Sequence, residues 1–375
     1  MKPPVVILSG VRWDFLWQRH QTLATLFASA GYPTVFVETT GLANPRPGRA
    51  TLRKVLSRVH RFRSKAGKPR VDKNPTVYAP LTAPPTLKAF VWANGRFLVP
   101  RVLRDLEKLV GSRPVVVAYP PTRTTLDLIS GLDPRLVLYD CADDYERFPG
   151  APKNIAQTER ELLLRAELVS CTSQHLLKKA RLLRPDAFLS GPAVDYERFR
   201  VLQENRPVRE VRTVCFFGHV SRERTDFSAL RAVARAGFEV RIVGGLGRVD
   251  KDVMRMPGIY YKGEVPHAEL PAALAGADAF VLAYKVNGLT RSIAPAKTYE
   301  CLATGKPVVA APLPALEELA GHVYLAEGPE DYVGVLRSLE GLETEEKARA
   351  RIELARKNSW EARFKEIEEA LWRAL

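Results

Sequence analysis

The sequence predicts an α/β protein in which parallel β-sheets are covered by helices on both faces. Short apolar runs alternate with amphipathic segments along the chain, which is the pattern of strands joined by crossover helices. The chain has 375 residues, of which 46% are hydrophobic and 26% charged, so it can bury two cores and is too apolar to be disordered. A polar stretch at 201–212 without a periodic apolar face separates two sets of runs. We therefore expect two domains, each built on one doubly wound sheet.

The first set of apolar runs predicts the strands of the first domain. A helix is expected between the first two runs, over 18–30, and Gly31 supplies its stop. The runs are PVVILS at 4–9, TVFVE at 34–38, PVVVAY at 114–119, LVLYD at 136–140 and LVSCTS at 168–173.

The second set of runs predicts the strands of the second domain, so the chain reads as two Rossmann-like halves. We expect the domains to span 1–204 and 205–355. A closing amphipathic helix is expected over 356–375, where it can pack back on the first domain, with Trp360, Phe364, Ile367, Leu371 and Leu375 on one face. The runs are TVCFFG at 213–218, EVRIVGG at 239–245, IYYKG at 259–263, AFVLA at 279–283, PVVAA at 307–311 and VYLA at 323–326.

Positive charge is concentrated in one part of the chain. The net charge is +15, and ten Lys or Arg fall within 46–70, inside a longer stretch from Thr39 to Val71 that has no acidic residue. Apolar residues recur there at helical spacing, which is typical of a basic amphipathic helix at a membrane surface. Two interpretations stay open, a solvated insertion and a contact with anionic lipid head groups or a lipid-linked substrate. Nucleic acid is not expected, because no recognition motif accompanies the charge.

The spacing of the cysteines favours a reducing compartment, and the hydropathy of the sequence predicts neither a signal peptide nor a membrane span. Cys141, Cys171, Cys215 and Cys301 lie far apart in or beside apolar runs, without a CxxC pair, which argues against structural zinc. The N-terminal apolar run is too short for a signal peptide, and no window has the roughly 18 apolar residues of a membrane span. We expect a cytoplasmic protein.

Several motifs together resemble the GT-B glycosyltransferases. These are FFGHVSRERTDF at 216–227, YYKGEVPHAELPAALAGADAFVLAY at 260–284, APAKTYECLATGKPVVA at 294–310, and the terminal NSWEARF. The segment GPAVDYERF at 191–199 is similar to the end of the first domain in many members. The likeness is to family 4 and family 1 enzymes of bacterial cell-envelope polysaccharide synthesis, and it implies a nucleotide-sugar donor in the second half and an acceptor in the first.

The helix around 292–304 is the predicted donor element. Helix N-termini at the carboxyl ends of parallel strands bind anions, so a helix starting near Pro295 offers the amides around Ser292 to a diphosphate. Lys297 adds a positive charge, and Glu300 can accept hydrogen bonds from ribose hydroxyls. The family carries two glutamates separated by seven residues; Glu300 matches the second, Ser292 stands at the first, and the spacing P-x-K-x-x-E matches the teichuronic-acid and xanthan-type relatives. The alternative is a surface pair at i and i+3.

Two glycine-containing loops are the other donor candidates. Gly218 lets the backbone approach a ligand closely, and Arg222 or Arg224 can clamp phosphate oxygens. Gly244 lies in IVGGLG, which lacks a complete GxGxxG and is expected to be a turn lining the donor site. A solvated loop is the alternative for the arginines.

The acidic segment LVLYDCADDYERFPG supplies the predicted catalytic base. Transfer to a hydroxyl requires a base for its proton, and we favour Asp143, then Asp144, whereas Asp140 is expected to orient the loop through backbone hydrogen bonds. Helix capping and a Mg²⁺ or Mn²⁺ site are the alternatives. The GT-B resemblance implies metal-independent catalysis, so no metal ligand and no cofactor are assigned.

The loop after the first strand is the predicted acceptor element. Ser9 and Gly10 follow the strand directly, and Arg12 and Trp13 come next, in a loop whose aromatic residues can stack on a sugar or form packing contacts. His20 is expected to be structural.

These observations predict a metal-independent glycosyltransferase. The donor is expected to be a UDP-sugar and the acceptor a lipid-linked or polysaccharide glycan at the inner membrane surface, contacted through residues 46–70. The alternatives are a nucleotide-sugar epimerase of the same fold and a non-catalytic anion- or nucleic-acid-binding protein.

Overall fold

A computed structural model of the chain describes residues 2–14, 17–38, 75–84, 87–111, 113–148, 150–203, 210–291 and 293–375. It divides into two units. Unit 1 is Met1–Ser190 together with Phe364–Leu375, and unit 2 is Gly191–Arg363. The predicted basic helix at 46–70 lies outside the described residues.

Unit 1 contains a seven-stranded parallel sheet in the order β3-β2-β1-β4-β5-β6-β7. The first six strands of this order, 3-2-1-4-5-6, are those of a dinucleotide-binding Rossmann sheet. The strands are β1 (Val5–Ser9), β2 (Thr34–Glu38), β3 (Thr76–Tyr78), β4 (Val115–Ala118), β5 (Leu136–Cys141), β6 (Leu168–Cys171) and β7 (Phe188–Leu189).

The helices of unit 1 follow the strands as crossovers. A π-helical turn, Asn94–Leu98, joins α2 to α3, and a 3-10 turn covers Tyr145–Arg147. The helices are α1 (Arg19–Ser29), α2 (Lys88–Ala93), α3 (Val99–Val110), α4 (Arg123–Leu132), α5 (Ile155–Arg165) and α6 (Gln174–Arg181).

Unit 2 contains a six-stranded parallel sheet in the order β10-β9-β8-β11-β12-β13, which is again the 3-2-1-4-5-6 order. The strands are β8 (Thr213–Phe217), β9 (Glu239–Val243), β10 (Ile259–Gly263), β11 (Ala279–Leu282), β12 (Val308–Ala310) and β13 (Tyr324–Leu325).

The helices that connect the strands of unit 2 are again crossovers, and the helices after the last strand end the chain. A 3-10 turn, His267–Glu269, follows β10, and another covers Arg200–Leu202. The helices are α7 (Tyr196–Phe199), α8 (Phe227–Arg235), α9 (Lys251–Met254), α10 (Leu270–Leu274), α11 (Lys297–Ala303), α12 (Pro314–Glu317), α13 (Pro329–Leu342), α14 (Glu345–Lys357) and α15 (Trp360–Ala374).

The central strands are buried along their whole length. All residues of β1, β8 and β11 are buried, since helices cover both faces of each sheet. This is why the strands appear in the sequence as continuous apolar runs rather than as alternating patterns. Each predicted run forms a strand, and the doubly wound α/β fold is confirmed.

The first unit ends before the polar stretch at 201–212. Val194 and Phe199 already belong to a core cluster of unit 2, and the backbone N–H of Trp360 donates to Val194 O at 3.0 Å. Helix α15 contributes to both units, because Phe364 packs edge-on against Phe27 of unit 1 at 5.0 Å between ring centroids. The predicted boundary at 204–205 lies outside the described residues. None of the described helices is long and apolar enough to cross a membrane.

Candidate functional site

Each sheet has one point where the strand order reverses, and the predicted loops follow the strands at these points. In unit 1 the neighbours are β1 and β4, and in unit 2 they are β8 and β11. Ligands of open α/β sheets bind beyond the carboxyl ends of the strands at such switch points. Ser9 and Gly10 follow β1, and Gly218 follows β8. The topology therefore marks one candidate site in each unit.

The site in unit 2 is lined by two glycines in direct contact. Gly218 has φ +104° and Gly244 has φ +132°, both in the region that favours glycine. A Cβ at Gly244 would overlap the carbonyl oxygen of Gly218, so no other residue fits there. The Gly218 N–H donates to Val243 O at 2.8 Å, which joins the ends of β8 and β9. These contacts explain the glycines of both predicted donor loops.

Lys297, the first residue of α11, places its ammonium beside Gly218. Its Nζ donates to Phe217 O at 2.5 Å and would lie 3.3 Å from a Cβ at Gly218. The rings of Phe216 and Tyr284 surround the ammonium, at 4.2 and 4.8 Å from their centroids. Within the described residues no carboxylate pairs with Lys297. A full positive charge thus lies, without a neutralising anion, at the switch point.

Glu300 lies one turn further along α11 and is oriented by a chain of polar side chains. Arg198 Nη1 lies 2.6 Å from His267 Nδ1, and His267 Nε2 lies 3.1 Å from Glu300 Oε1. A guanidinium only donates, so Nδ1 accepts and the proton of the neutral ring is on Nε2, from which it donates to Glu300. Asp195 in turn pairs with Arg198 at 3.0 Å. This series of contacts fixes Oε1 of Glu300, and among the described residues its other carboxylate oxygen is available to accept hydrogen bonds from a ligand.

The alternative of a surface pair between Lys297 and Glu300 is wrong. The two side chains have different partners, Phe217 O and His267, and no ion pair joins them in the described part of the chain. The helix itself begins at Lys297, two residues after Pro295, where the sequence analysis placed its start. Ser292 lies outside the described residues.

The two arginines of the predicted phosphate clamp are exposed. Two backbone carbonyls hold their segment against Lys285. Arg222 O accepts from Lys285 Nζ at 2.9 Å, and Arg224 O accepts from Lys285 N at 2.8 Å. Neither guanidinium has an ion-pair partner among the described residues. Both remain candidates, and Lys285 adds a third cation beside the β8 loop.

Unit 1 has a buried polar cluster at its switch point. Arg19 of α1 donates to both carboxylate oxygens of Asp140, at 2.6 and 3.1 Å, and to Ser190 Oγ at 2.7 Å. Ser170 Oγ donates to Asp140 Oδ1 at 2.7 Å. Asp140 is completely buried and takes its partners from side chains, so the prediction that it orients its loop through backbone hydrogen bonds is wrong. The carboxylate instead joins β5, β6 and α1.

Ser9 and His20 belong to the same region of unit 1. Ser9 Oγ lies 2.9 Å from His20 Nδ1, and the His20 ring stacks on Tyr119 with centroids 3.5 Å apart. Burial lowers the pKa of His20 to about 3, against the opposing charge of Asp140, so the ring is neutral at neutral pH. Burial raises the pKa of Tyr119, and its hydroxyl is buried without a hydrogen bond in the described structure. His20 is therefore a packed, neutral group.

The two candidate bases have different surroundings. Asp143 is exposed, whereas the Asp144 side chain is 7% exposed and lies within ion-pair distance of Arg147, His175 and Lys179, at 3.1, 3.5 and 3.4 Å. Asp144 precedes the 3-10 turn but makes no side-chain capping bond. No group of three or more potential ligands is arranged to hold a metal ion among the residues described. Asp144 acts in a charge cluster, and Asp143 is the more accessible carboxylate.

The remaining acceptor candidates make contacts at the surface of unit 1. Gly10 packs near Pro120, 3.8 Å from its would-be Cβ, which brings the loops after β1 and β4 together. Arg12 pairs with Asp14 at 3.2 Å, and both side chains are partly exposed. The Trp13 ring packs edge-on against Phe36 and Trp17, at 5.0 and 5.5 Å. Trp13 thus makes packing contacts, and its partly exposed ring stays a candidate for stacking on a sugar.

Sequence reasoning did not single out His267, Arg198 and Arg19. Two of them lie in motifs that were noticed for other reasons, VPHAEL at 265–270 and DYERF at 195–199. A histidine soon after the predicted strand at 259–263 is the signal that could have led to His267. No local signal connects Arg19 with Asp140, because 121 positions separate them.

Comparisons with known proteins identify relatives of this chain. Residues 222–369 match the family model described as glycosyl transferase-like. The chain is 25% identical over 259 residues to TuaH of Bacillus subtilis (strain 168), named as a candidate teichuronic acid biosynthesis glycosyltransferase; the match spans 62% of this chain and 65% of TuaH.

Solved structures share the fold over nearly the whole chain. HepE of Anabaena, solved with UDP and glucose, has a TM-score of 0.63 at 14% identity, covering 99% of each chain. The lipopolysaccharide outer core galactosyltransferase WaaB has a TM-score of 0.60 at 12% identity, covering 100% of each chain. The chain therefore has the GT-B fold. The resemblance to GT-B glycosyltransferases predicted from the sequence is confirmed, and it includes a glycosyl transferase-like segment across unit 2.

Proposed function

We propose that the protein is a metal-independent glycosyltransferase that uses a nucleoside diphosphate sugar, UDP-linked, and a lipid-linked or polysaccharide acceptor of the cell envelope. The observation that carries the proposal is the ammonium of Lys297 beside Gly218 at the switch point of unit 2, which donates to Phe217 O and has no carboxylate partner among the described residues. A diphosphate is the anion whose charge and size suit this position, since Gly218 leaves room for close approach.

The donor chemistry follows from these side chains. The bond between the anomeric carbon and the β-phosphate oxygen breaks, and its electron pair leaves with the diphosphate. Lys297 stabilises the charge that develops on the leaving group, assisted by Arg222 or Arg224. Glu300, held through one oxygen by His267, accepts hydrogen bonds from the ribose hydroxyls with the other. HepE, which shares the fold, was solved with UDP, and this supports UDP as the nucleotide.

The acceptor side of the reaction is assigned to unit 1. As the new glycosidic bond forms, the acceptor hydroxyl loses its proton to a base, for which we propose the exposed Asp143. Ser9, Gly10, Arg12 and Trp13 are the proposed acceptor contacts. TuaH is named for teichuronic acid biosynthesis, which supports a cell-envelope acceptor.

We place the protein on the cytoplasmic face of the cell membrane. The support is the basic composition of 46–70, which lies outside the described residues and would attract anionic lipid. Nucleic acid is not a proposed partner, and no cofactor is proposed beyond the donor substrate.

The first prediction tests the donor site with calorimetry. Lys297→Met keeps the length of the side chain and removes its charge, so we expect UDP to bind about 10- to 100-fold more weakly, the usual effect of losing one charge-assisted hydrogen bond. Glu300→Ala should weaken UDP binding about tenfold, and Glu300→Gln, which keeps an acceptor oxygen, should recover part of the loss.

The matched control is Lys251→Met, which removes an exposed lysine of α9 in the same unit and should leave UDP affinity unchanged. Wild-type affinity in both Lys297→Met and Glu300→Ala would contradict the donor assignment. Conversion of a bound nucleotide sugar into its epimer, with no glycoside formed, would support the epimerase instead.

A further inference from the structure

Unit 1 exposes a cluster of large apolar side chains around α2. We call Leu87, Phe90, Trp92 and Phe97 the aromatic ridge; these residues are 49%, 38%, 64% and 57% exposed. Helix α2 has no buried residue at all. Single exposed apolar residues are ordinary, but Trp92 and Phe97, the two most exposed of the four, also contact each other, and such a pair marks an interaction surface.

The ridge is held rigidly by the buried residue Asn94. Its Oδ1 accepts from Ala83 N at 2.8 Å, and its Nδ2 donates to Ala83 O at 2.8 Å and to Thr124 Oγ1 at 3.0 Å. Asn94 is completely buried and opens the π-helical turn, a feature that is frequent at functional sites. The exposed side chains are thus presented by a fixed backbone.

The two largest ridge side chains contact each other. Trp92 and Phe97 pack edge to face with centroids 5.4 Å apart, and the Arg96 guanidinium lies 5.6 Å from the Phe97 ring centroid. Tryptophan and phenylalanine flanked by arginine are the side chains enriched where a protein meets the interfacial layer of a bilayer. Their apolar parts enter the acyl boundary while the cations stay at the head groups.

The charge around the ridge has one sign. No acidic residue occurs from Lys73 to Arg104, and Lys88, Arg96, Arg101 and Arg104 are exposed. Asp127, which lies beside Gly95, is already paired with Arg123 at 2.8 Å. This surface therefore complements an anionic layer.

We propose that the aromatic ridge inserts into the interface of an anionic lipid bilayer. A second copy of this chain would bring the same cations against one another, which disfavours self-association through this surface. The inference names a second contact for the membrane location under "Proposed function", but it is carried by the described residues 87–104 and does not depend on sugar transfer.

The test is co-sedimentation of the full chain with vesicles of phosphatidylcholine alone and of phosphatidylcholine mixed with phosphatidylglycerol. We expect binding to the mixed vesicles, and about tenfold weaker partitioning for each aromatic removed in Trp92→Ser and Phe97→Ser, the loss expected for one buried aromatic side chain. Trp372→Ser is the matched control, since Trp372 is 49% exposed on α15.

A second measurement separates insertion from charge attraction alone. Lipids brominated on their acyl chains should quench tryptophan emission of the wild type, and Trp92→Phe should remove most of that quenching while still sedimenting with the vesicles. Four cations of the segment at 46–70 are Arg53, Lys54, Arg58 and Arg61. Replacing them with Gln should reduce the salt-sensitive part of vesicle binding and leave the tryptophan quenching of the bound protein unchanged.

Two results would overturn the proposal. One is wild-type sedimentation of the Trp92→Ser, Phe97→Ser double variant with mixed vesicles. The other is self-association that the double variant abolishes, without vesicle binding by the wild type. UDP affinity of the double variant, measured in parallel, should equal that of the wild type. If the wild type itself does not bind UDP, the donor proposal is contradicted, and the result of the vesicle experiment still stands.

Discussion

The buried His20, which lies at the candidate site of unit 1, makes the free energy of unfolding depend on pH. Its ring stacks on Tyr119 and lies 2.9 Å from Ser9 Oγ. The folded pKa is about 3 and the ordinary value 6.5, so below pH 6.5 the unfolded chain binds a proton that the folded chain does not. The contribution of the neutral His20 to the free energy of unfolding is therefore fully present above pH 6.5. This contribution is lost as the pH falls toward 3.

The second prediction follows from this linkage. His20→Asn keeps a polar atom near the Nδ1 position and removes the titration, so the free energy of unfolding should depend less on pH between 6.5 and 4. The change in slope should approach about 1.4 kcal/mol per pH unit. Urea unfolding across this range measures it, with the exposed His175→Asn as the control. An unchanged slope in His20→Asn would show that His20 is charged in the folded state.

Asp143 and Asp144 are neighbours whose substitutions should differ in effect. Our third prediction is that Asp143→Asn lowers the rate of UDP release from the bound donor at least about 100-fold with UDP affinity unchanged, as expected on removing a general base. Asp144→Asn should mainly lower stability, because it removes a partner of Arg147 and Lys179. Full turnover in Asp143→Asn would transfer the role to another group.

At the scale of elements, the helix that carries Lys297 and Glu300 is anchored at its far end. Gly305, with φ +75°, ends α11, and its carbonyl accepts from Arg351 Nε at 2.9 Å. Arg351 of α14 is buried and forms a bidentate pair with Glu343, which also accepts from Tyr324 OH at 2.6 Å. The buried pair thus joins α11, α14 and β13.

The fourth prediction concerns this anchor. Arg351→Ala leaves Glu343 buried without its partner and should lower the free energy of unfolding by about 3–5 kcal/mol. The double substitution Arg351→Met, Glu343→Leu should be much less destabilising, since no uncompensated charge remains. Urea unfolding compares them, with Arg349→Ala of the exposed Arg349–Glu345 pair as the control. Equal losses in the single and double variants would contradict this interpretation.

At the scale of the whole molecule, chemistry and charge are distributed unequally between the units. Unit 2 contains the glycines and cations of the proposed donor site, and unit 1 contains a buried polar cluster and the aromatic ridge. The basic segment at 46–70 and the ridge both fall within the sequence range of unit 1. The vesicle experiment, which is the fifth prediction, therefore probes a property of unit 1 and leaves the donor site as an internal control.

The apolar runs were enough to predict the longer strands of both sheets and the start of the helix proposed to bind the donor. Parallel strands buried on both faces need continuous apolar runs, and these are visible without a structure. Gly218, Gly244, Lys297 and Glu300 were found because a switch-point ligand requires such residues directly after strands or on the first turn of a helix. The short edge strands β3 and β7, of three and two residues, carry too little pattern to be predicted.

The partners of these residues become visible only in the folded chain. Lys297 and Phe217 O are 80 positions apart, His267 and Glu300 are 33 apart, and Arg19 and Asp140 are 121 apart. Periodicity along a chain encodes which face of an element is buried and does not encode which distant side chain meets it. Lys297 meets Phe217 O, and Glu300 meets His267, because of how β8, β10 and α11 are arranged in unit 2. Parallel topology brings the ends of sequence-distant strands to one edge of a sheet.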